Sequence, residues 1–452
     1  MVSISRALAN VKDYFSSYVP DTLILQACQD VDHAWRERQL GPVVTTYLFL
    51  QQVLHGNTAC SHLRHLSGRH VNASAYCQAR SRLPLVFFDR LQTLVTQAVR
   101  TRLPRPACRR WQRHRLFFID GSSFSMPDTP QLQDAFGQPG QQASGCGFPT
   151  AHLMVLFDHP TGLLRQTLAL PLRSHDMSHA AVLHADLQAG DLLVGDRAFG
   201  NYAHLALCRQ RKLHGLFRVH QRQIVCFRQG RPHKRRGGAA VQDKGRPTSR
   251  WLKRLGRQDQ LVEYLKPSHR PEWLTEQEWQ SLPATLVVRE VRYRIRVPGM
   301  RTREVTLVTT LLDPLRYSAK ELARLYGLRW QVEVNLRHLK QTMQMDVLRC
   351  TTVEGVLKEL CMFAVVYNLV RRVMAAAAHR QRVEVDRISF VDAWRWLQQA
   401  EPRVVLPDLV VNPQRQGRCE PRVRKRRPKE FSLMKKPRAE LRKALRGKRA
   451  KA

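Results

Sequence analysis

The stretch Tyr326-Gly-Leu-Arg-Trp-Gln-Val-Glu-Val-Asn-Leu-Arg-His-Leu-Lys340 carries the most information about the fold of this chain. At about 100° per residue, Tyr326, Arg329, Glu333 and Lys340 fall within a ~60° arc of an α-helix. An apolar stripe lies directly beside this arc and consists of Leu325, Leu328, Val332, Leu336 and Leu339. A solvated charged face would lie opposite such a stripe. The pattern therefore predicts a docked helix with a carboxylate, two cations and a phenol at the edge of its buried face.

Two apolar runs upstream of this helix each end in an aspartate. Residues 116–119 precede Asp120, and Leu192–Gly195 precedes Asp196. Short apolar runs bounded by turn residues are typical of strands buried on both faces, and side chains at the carboxyl ends of such strands point into a ligand-binding crevice. The two aspartates and Glu333 offer the oxygen ligands that Mg²⁺ prefers. Two ions about 3.5–4 Å apart stabilise both oxygens of an in-line phosphoryl transfer.

Each of these signals is weak when it stands alone. Isolated aspartates are common in turns and helix caps, and the helix by itself is typical of an ordinary amphipathic segment. Together they resemble a known family. Asp120, Asp196 and Glu333 resemble the DDE triad of ribonuclease-H-like transposases, and Tyr326-x2-Arg329-x3-Glu333-x6-Lys340 matches the Y-R-E-K signature of the insertion-sequence-four family of bacterial transposases. The resemblance covers roughly residues 25 to 375, with further matching text at residues 118–122, 195–200, 309–313, 348–350 and 367–369.

The resemblance implies a transposase that binds its transposon ends, cleaves DNA and transfers 3′-hydroxyl ends to target DNA. Asp120, Asp196 and Glu333 would be catalytic and hold two Mg²⁺ ions, with Mn²⁺ as a substitute. Two ends must be cut together, which implies a homodimer in the synaptic complex on double-stranded DNA. Two rival interpretations are a ribonuclease-H-like nuclease or resolvase that cuts without joining, and an inactive DNA-binding derivative.

The same resemblance assigns DNA contacts near the cut. Tyr326, Arg329 and Lys340 would grip phosphates, and cleavage through a hairpin at the transposon end is left open. A hairpin needs tight strand curvature, which a flipped and stacked base would relieve. Tryptophans are more often ordinary core or surface residues than stacking platforms for a base, and the candidate stacking platforms are Trp330, Trp251, Trp273 and Trp279.

The composition agrees with a nucleic-acid partner. The chain has 75 Lys and Arg against 36 Asp and Glu, a formal net charge of +39, which is the electrostatic footprint of a nucleic-acid binder. The apolar run at residues 360–370 stops at Arg371, so a buried core helix is expected there rather than a membrane span. No secretory signal pattern begins the chain, and we expect a cytoplasmic, nucleoid-associated bacterial protein. Ten cysteines without a CxxC pair predict reduced structural thiols and argue against a zinc site.

The order of predicted elements indicates an α/β fold with a ribonuclease-H-like catalytic core, interrupted by a β-rich insertion and preceded by an all-α DNA-binding domain. The expected domains are a helical DNA-binding domain at 1–105, the first part of the core at 106–220, a basic β-rich insertion at 221–303, the second part of the core at 304–380, and a C-terminal region with a basic tail at 381–452. The helical domain could also serve only to buttress the core. In the first part of the core we expect strands at 117–120, 151–157 and 163–170, a helix at 180–187 capped by Ser178, the Asp196 strand, a helix at 202–212 and a strand at 216–219.

The insertion and the tail supply further cations. Asp196 and Glu333 are too far apart in sequence for a simple connection. Residues 285–297 alternate apolar and charged residues, which predicts an edge-exposed strand. Its row of DNA-contacting arginines would be Arg289, Arg292, Arg294 and Arg296. Residues 421–452, with a dense basic run at 424–427, are expected to be a disordered non-specific DNA arm or a solvated tail without a role.

Overall fold

The computed structural model describes residues 19–36, 38–66, 71–104, 110–140, 143–174, 179–234, 245–295, 304–399, 405–413 and 436–449. Ser178, Arg296 and the basic run at 424–427 lie outside these residues. Residues 19 to 104 contain five described α-helices: α1 (Asp21–Gln29), α2 (Pro42–Leu54), α3 (Leu63–Leu66), α4 (Ala73–Arg82) and α5 (Leu85–Thr101). Proline occupies the first turn of α2, where a missing N–H costs nothing, and Asn72 caps α4 by accepting from the amides of Ser74 and Ala75.

A nine-stranded mixed sheet forms the centre of the molecule. Its strands are β1 (Leu116–Ser125), β2 (Thr150–His159), β3 (Leu164–Pro171), β4 (Leu192–Gly195), β5 (His214–Arg218), β6 (Ser249–Gly256), β7 (Asp259–Leu265), β8 (Thr285–Arg294) and β9 (Glu304–Thr309). They lie in the order β3-β2-β1-β4-β5-β9-β8-β7-β6. The first three form an antiparallel meander, whereas β4 and β5 run parallel to β1. This is the meander-then-crossover order that the resemblance led us to expect.

Smaller elements connect and flank the strands. Helix α6 (Pro130–Phe136) follows β1, and α7 (Tyr202–Gln210) crosses from β4 to β5. The helix expected at 180–187 is largely a 3-10 helix at Val182–Asp186, and a second 3-10 turn occupies Arg197–Phe199. Helix α8 (Glu276–Ser281) lies between β7 and β8 and begins with a capping box between Thr275 and Glu278.

The strands of the expected insertion extend the core sheet instead of lying apart from it. Strand β9 pairs on one side with β5 and on the other with β8, and β7 and β6 follow. The prediction that residues 285–297 form an edge strand is wrong for β8, because β8 is hydrogen-bonded on both sides and the described edge of the sheet is β6. The alternation of apolar and charged residues does not by itself distinguish an edge strand from an internal strand.

The carboxyl-terminal half of the core is helical. Its helices are α9 (Ala319–Gly327), α10 (Trp330–Arg337), α11 (Val353–Gln381) and α12 (Phe390–Gln399). Helix α11 is long and apolar enough to cross a membrane by length and composition, yet its apolar stretch is mostly buried inside the protein. It packs against α2 and α5 on one side and β3 on the other, so one helix joins the amino-terminal helices to the sheet.

Part of the basic tail is ordered. Residues Arg438–Arg449 form a helix, α13, and the guanidinium of Arg438 donates to Asp128 and lies over the ring of Phe148. The prediction of a disordered arm is therefore wrong for this helix, because Arg438 finds a carboxylate and an aromatic face in the core.

Candidate functional site: three carboxylates around one arginine

Asp120 and Asp196 lie side by side on neighbouring parallel strands. Strand β1 pairs with β4 in a register that sets Leu116 opposite Leu192 and Phe118 opposite Val194. The same offset places Asp120 level with Asp196, just beyond the last paired residues. Strand β1 does not end at Asp120 as expected; it continues to Ser125 because β2 pairs with it along its whole length. Asp120 therefore lies at the point where the parallel neighbour stops and the sheet opens.

Local backbone contacts fix both aspartates. Asp120 accepts a hydrogen bond from the amide of Gly121 at 2.9 Å, and Asp196 caps the following 3-10 turn by accepting from the amide of Ala198 at 2.7 Å. Gly195 precedes Asp196 at a close approach, since an added Cβ would lie 2.8 Å from both Ile119 and Phe199. A glycine at this position lets β4 pass close to β1 and deliver Asp196 to the opening.

Glu333 is connected to Asp120 through Arg329. One guanidinium nitrogen of Arg329 lies 2.7 Å from Glu333 Oε1, and another lies 3.3 Å from Asp120 Oδ2. The side chains of Arg329 and Asp120 are mostly buried, whereas that of Glu333 is 40% exposed. Arg329 therefore bridges two of the three carboxylates, those of Asp120 and Glu333.

The surroundings of the cluster disfavour the ionised form of Asp120. Burial raises the pKa of Asp120 to about 6; Arg329 and the Gly121 amide oppose the rise, and the nearby charges of Asp196 and Glu333 add to it. The electrostatic influence of Asp196 and Glu333 on Asp120 shows that the three carboxylates, from segments far apart in the chain, converge on one place. One arginine does not fully compensate them.

The segment bearing the signature is not one continuous helix. Helix α9 ends at Gly327, and α10 begins at Trp330 and ends at Arg337. A π-helical turn follows directly, from His338 to Thr342. Tight backbone bonds from Leu328 to Leu325 and from Arg329 to Tyr326 carry the chain across the break. The predicted single helix is wrong because glycine at 327 is a poor helix former and the junction tightens there. The break also leaves Leu328 37% exposed, although its expected stripe partners are buried.

Lys340 lies in the π-helical turn and faces the same strand as Asp120. Its Nζ donates to Ser122 Oγ at 2.9 Å, two residues beyond Asp120 on β1. Among the residues that the structure describes, no carboxylate lies within ion-pair distance of this ammonium group, and burial lowers the pKa of Lys340. The sequence pattern did not predict Ser122 as a partner of Lys340, although residues 118–122 belong to the family pattern.

The remaining residues of the signature flank the cluster. Burial raises the pKa of Tyr326 to about 12; Arg329 and Arg218 oppose the rise and Asp196 adds to it. The hydroxyl of Tyr326 therefore keeps its proton and can donate a hydrogen bond. Trp330 is 59% exposed beside Arg329. The three other candidate tryptophans are less accessible, since Trp279 is buried and Trp251 and Trp273 are half-buried.

The arginines of β8 do not form one exposed row. Arg289 is completely buried; it pairs with Asp259 and donates to the carbonyl of Tyr317 at 2.6 Å. The expectation that it points to the surface is therefore wrong. Arg292 is half-buried against Thr306 and the ring of Phe227, and Arg294 is exposed and paired with Glu304. Arg296 lies outside the described residues.

The carboxylate cluster fits divalent metal ions. Its donor set is three carboxylates, which are hard oxygen ligands suited to Mg²⁺ or Mn²⁺. The raised pKa of Asp120 and the guanidinium held between Asp120 and Glu333 both show that the site draws positive charge to itself. Asp120, Asp196 and Glu333 are the side chains that would hold the ions.

Comparison with known proteins identifies the family of the chain. The family model described as "Transposase DDE domain" matches residues 111–369, more than half of the chain, and all three carboxylates lie within the match. The chain belongs to the DDE transposases, within the insertion-sequence-four family.

Relatives of the chain are transposases. It is 26% identical over 380 residues to "Transposase InsG for insertion sequence element IS4" of Escherichia coli (strain K12), which covers 80% of this chain and 78% of the relative. A cryo-EM structure titled as a piggyBac transposase synaptic complex with hairpin DNA aligns with a TM-score of 0.40 and 11% identity, over 85% of this chain and 78% of the other. That likeness is too low to add to the family assignment.

Proposed function

We propose that this DDE transposase binds the two ends of its element, cuts the DNA there and joins the 3′-hydroxyl ends to target DNA, using divalent ions held by Asp120, Asp196 and Glu333. The observation that supports the proposal best is the clustering of three carboxylates: Arg329 bridges Asp120 and Glu333, and Asp196 lies level with Asp120 on the adjacent parallel strand. When bound, the ions supply activation of the attacking oxygen and stabilisation of the departing one. We propose Mg²⁺ as the usual ion and Mn²⁺ as a substitute.

The chain's own residues have separate roles in this proposal. Arg329 keeps Asp120 and Glu333 in place and lies ready to turn to a phosphate, since a guanidinium pairs with phosphate as well as with carboxylate. Lys340 is held by a neutral hydroxyl instead of an acid, so its charge is available to a DNA strand passing over Ser122. Tyr326 can donate a hydrogen bond near Asp196, and exposed Trp330 can stack on a base that leaves the duplex.

The remaining parts of the proposal concern the amino-terminal helices, the number of copies, further DNA contacts and the place of action. We assign the helices α1 to α5 to binding of transposon ends, and we propose that two copies act together, since both ends must be processed. Arg294, the half-buried Arg292 and Arg296 remain proposed DNA contacts, and Arg289 does not. We also propose that the protein works in the cytoplasm at the nucleoid.

The test is cleavage and joining by carboxylate variants. Asp120→Asn, Asp196→Asn and Glu333→Gln should each abolish cleavage and strand transfer, yet bind a transposon-end duplex within a few-fold of the wild type, because affinity comes mainly from the many cations. Asp408→Asn, at an exposed surface ion pair, is the matched control and should keep full activity. Near-normal cleavage by any triad variant in Mg²⁺ would remove that residue from the proposed site.

A second assay separates the proposal from a nuclease that only cuts. Pre-cleaved transposon ends with free 3′-hydroxyls are supplied together with a supercoiled target plasmid. The proposed function predicts joined products with the wild type and none with the triad variants. Cleavage of intact ends without any joining of pre-cleaved ends would favour the nuclease interpretation.

A further inference from the structure

A second group of ligand-type side chains lies in the core, away from the carboxylate cluster. His184, His204 and Cys208 are all buried, with 3%, 0% and 0% exposure. Their ligand atoms all lie within 4.8 Å of one another. They sit among the apolar residues behind β1 and β4, and the proposed chemistry does not use them.

The local fold explains why the three side chains meet. His204 and Cys208 are four residues apart on α7, so they lie one above the other on the same face of the helix. Asn201 caps this helix by accepting from the amide of His204 at 3.0 Å. The 3-10 helix Val182–Asp186 brings His184 against that face, with the two imidazole centroids 5.0 Å apart.

The hydrogen bonds of the two imidazoles turn their Nε2 atoms toward each other. His204 Nδ1 lies 2.8 Å from the carbonyl oxygen of Phe199, which can only accept, so the proton of His204 is on Nδ1 and its Nε2 carries a lone pair. That lone pair faces Nε2 of His184 at 2.9 Å. A histidine that binds a metal through one nitrogen commonly donates from the other to a backbone carbonyl, and this fixes its orientation.

The protonation states suit metal ligands. Burial, with help from neighbouring positive groups, lowers the pKa of His184 to about 2, and burial lowers the pKa of His204 to about 4. Metals bind the neutral form of imidazole, and the contact of His204 Nδ1 with the Phe199 carbonyl is compatible with that form. Burial raises the pKa of the Cys208 thiol to about 12, and a bound cation would reverse that effect because the thiolate is the ligand.

We infer that His184, His204 and Cys208 form a buried site for one Zn²⁺ ion, separate from the catalytic carboxylates. Two nitrogens and one sulfur are ligands that Zn²⁺ favours, at about 2.0–2.1 Å and about 2.3 Å respectively. Two nitrogens on one tetrahedral ion lie about 3.3 Å apart, so the imidazoles need to separate by only about 0.4 Å. Within the described part of the chain no fourth side-chain ligand joins the group, which leaves one position for water.

This inference departs from the expectation drawn from cysteine spacing. The absence of a CxxC pair argues only against sites built from paired cysteines. Here the ligands come from a His-x3-Cys pair on one helix and a histidine twenty residues earlier, and that combination becomes visible only once α7 and the 3-10 helix are packed together.

The ion would brace the segment that carries Asp196. The carbonyl that accepts from His204 belongs to Phe199, the last residue of the 3-10 turn capped by Asp196. A single hydrogen bond, between His204 and the Phe199 carbonyl, would therefore connect a ligand of the ion to that turn. The role we assign to the ion is structural, since Asp196 itself lies on the other side of the turn.

The test is the zinc content of the full-length protein, purified without a histidine tag or chelator from cells grown with zinc. We expect about one zinc per chain by mass spectrometry, and a fall to less than about a fifth of that in Cys208→Ser and in His204→Asn. Cys361→Ser is the matched control, because Cys361 is another buried thiol that hydrogen-bonds Asp89. Asp120→Asn should also keep its zinc, which separates this site from the catalytic one.

Cobalt substitution gives a second, spectroscopic measurement on the wild type and Cys208→Ser. After removal of zinc, Co²⁺ should restore thermal stability and produce the near-ultraviolet absorption of a thiolate–cobalt bond, with no such band in Cys208→Ser. Zinc well below stoichiometry together with no thiolate–cobalt band would overturn the inference and leave an imidazole pair hydrogen-bonded beside a core thiol. Zinc retained in Cys208→Ser would overturn it as well. Neither result depends on whether the protein joins DNA.

Discussion

Asp120 occupies a position where a negative charge costs free energy in the absence of metal. Its side chain is 16% exposed, its backbone partner and Arg329 stabilise the charged form, and burial with two neighbouring carboxylates outweighs them. A carboxylate that is held in surroundings unfavourable to its charge is typical of a functional site. The balance at Asp120 can be measured in the metal-free protein without any DNA.

We expect Asp120→Asn to stabilise the metal-free protein above pH 6. The folded-state pKa of about 6 lies above the usual aspartate value, so the folded protein binds more protons than the unfolded chain between these values, and wild-type stability falls as pH rises through that window. Asp120→Asn has no carboxylate to ionise, so its free energy of unfolding should exceed that of the wild type by on the order of 2 kcal/mol at pH 8. Below about pH 4 the two proteins should be equally stable. Denaturant unfolding in EDTA at both pH values is the measurement.

The same variant also gives the metal control. Added Mg²⁺ should raise the stability of the wild type by mass action and leave Asp120→Asn nearly unchanged, because a ligand that binds only the folded state stabilises it. An Asp120→Asn protein that is less stable than the wild type at pH 8 in EDTA would show that Arg329 already compensates the charge.

Lys340 is expected to act on the DNA strand and not on the fold. Lys340→Met keeps most of the side-chain volume and removes the charge, so single-turnover cleavage should slow by at least about tenfold, as expected when one cation at a reacting phosphate is lost. Binding to transposon ends should change little, since one contact among many contributes little to affinity. Ser122→Ala, which removes only the hydroxyl partner, should have the smaller effect. A marked drop in Tm with an unchanged rate would assign Lys340 a structural role.

The residue types at the site were predictable, whereas their pairing was not. The order and spacing of Asp120, Asp196 and Glu333 were sufficient to propose the triad. That Arg329 bridges Asp120 and Glu333, and that Lys340 meets Ser122, depends on residues more than two hundred positions apart coming together. Local periodicity contains no information on such distances.

At the scale of elements, strands were easier to predict than helix continuity. The runs ending at Asp120 and Asp196 were identified because buried strands need uninterrupted apolar residues. The sequence did not predict the division of the signature segment into α9, α10 and a π-helical turn. Changes between i−3, i−4 and i−5 backbone hydrogen bonds cost little free energy locally and are decided by packing. The π-helical turn is where Lys340 turns toward β1, at the kind of position where such turns mark functional sites.

Helix α11 holds the β2–β3 hairpin by a set of buried hydrogen bonds. Asn368 accepts from the amide of Leu164 and donates to its carbonyl, both at 2.8 Å. Tyr367 donates to the carbonyl of Gly162, and Arg371 donates to that of Thr161. The Tyr-Asn text of the family pattern thus serves to fix a turn of the sheet, and the turn leaves no room for a side chain at Gly162.

Gly162→Ala should therefore destabilise the whole fold. Gly162 has a φ of +68°, and an added Cβ would overlap the guanidinium of Arg371. The combined cost of the backbone conformation and the overlap should be about 2 kcal/mol or more in the free energy of unfolding. Gly140→Ala is the control, since nothing lies within 4 Å of its Cβ position; it should stay within about 0.5 kcal/mol of the wild type. Equal stability of the two variants would mean that Arg371 can move aside freely.

At the scale of the whole molecule, the excess of basic residues serves two different purposes. Some arginines are buried and form hydrogen bonds inside the fold, as Arg289 does with Asp259 and Tyr317. Others are exposed and available to a polyanion. A net charge of +39 indicates the partner but does not separate these groups, because burial of a paired arginine is a property of the packed sheet and not of the sequence pattern.

Two sets of substitutions should separate these purposes. Changing Arg424, Lys425, Arg426 and Arg427 to glutamine should weaken binding equally for transposon-end and random duplexes, and should flatten the salt dependence by up to ~0.9 log units per lost phosphate contact. Arg289→Gln should instead lower Tm, since it leaves Asp259 buried without its partner and such losses cost about 3–5 kcal/mol. Gel shifts across a salt series and thermal melts measure the two effects. End-specific loss in the tail variant would contradict the first expectation.

The position of α11 in the chain has a consequence for synthesis on the ribosome. The amino-terminal helices α2 and α5 pack on a helix that is complete only at residue 381, so they cannot complete the burial of their apolar faces while the middle of the chain is being made. Nascent domains usually fold as they emerge, and this chain must wait instead. We therefore expect a message truncated before residue 353 to yield aggregating polypeptide for the cell's proteases, and no stable fragment that competes with the full-length protein for transposon ends.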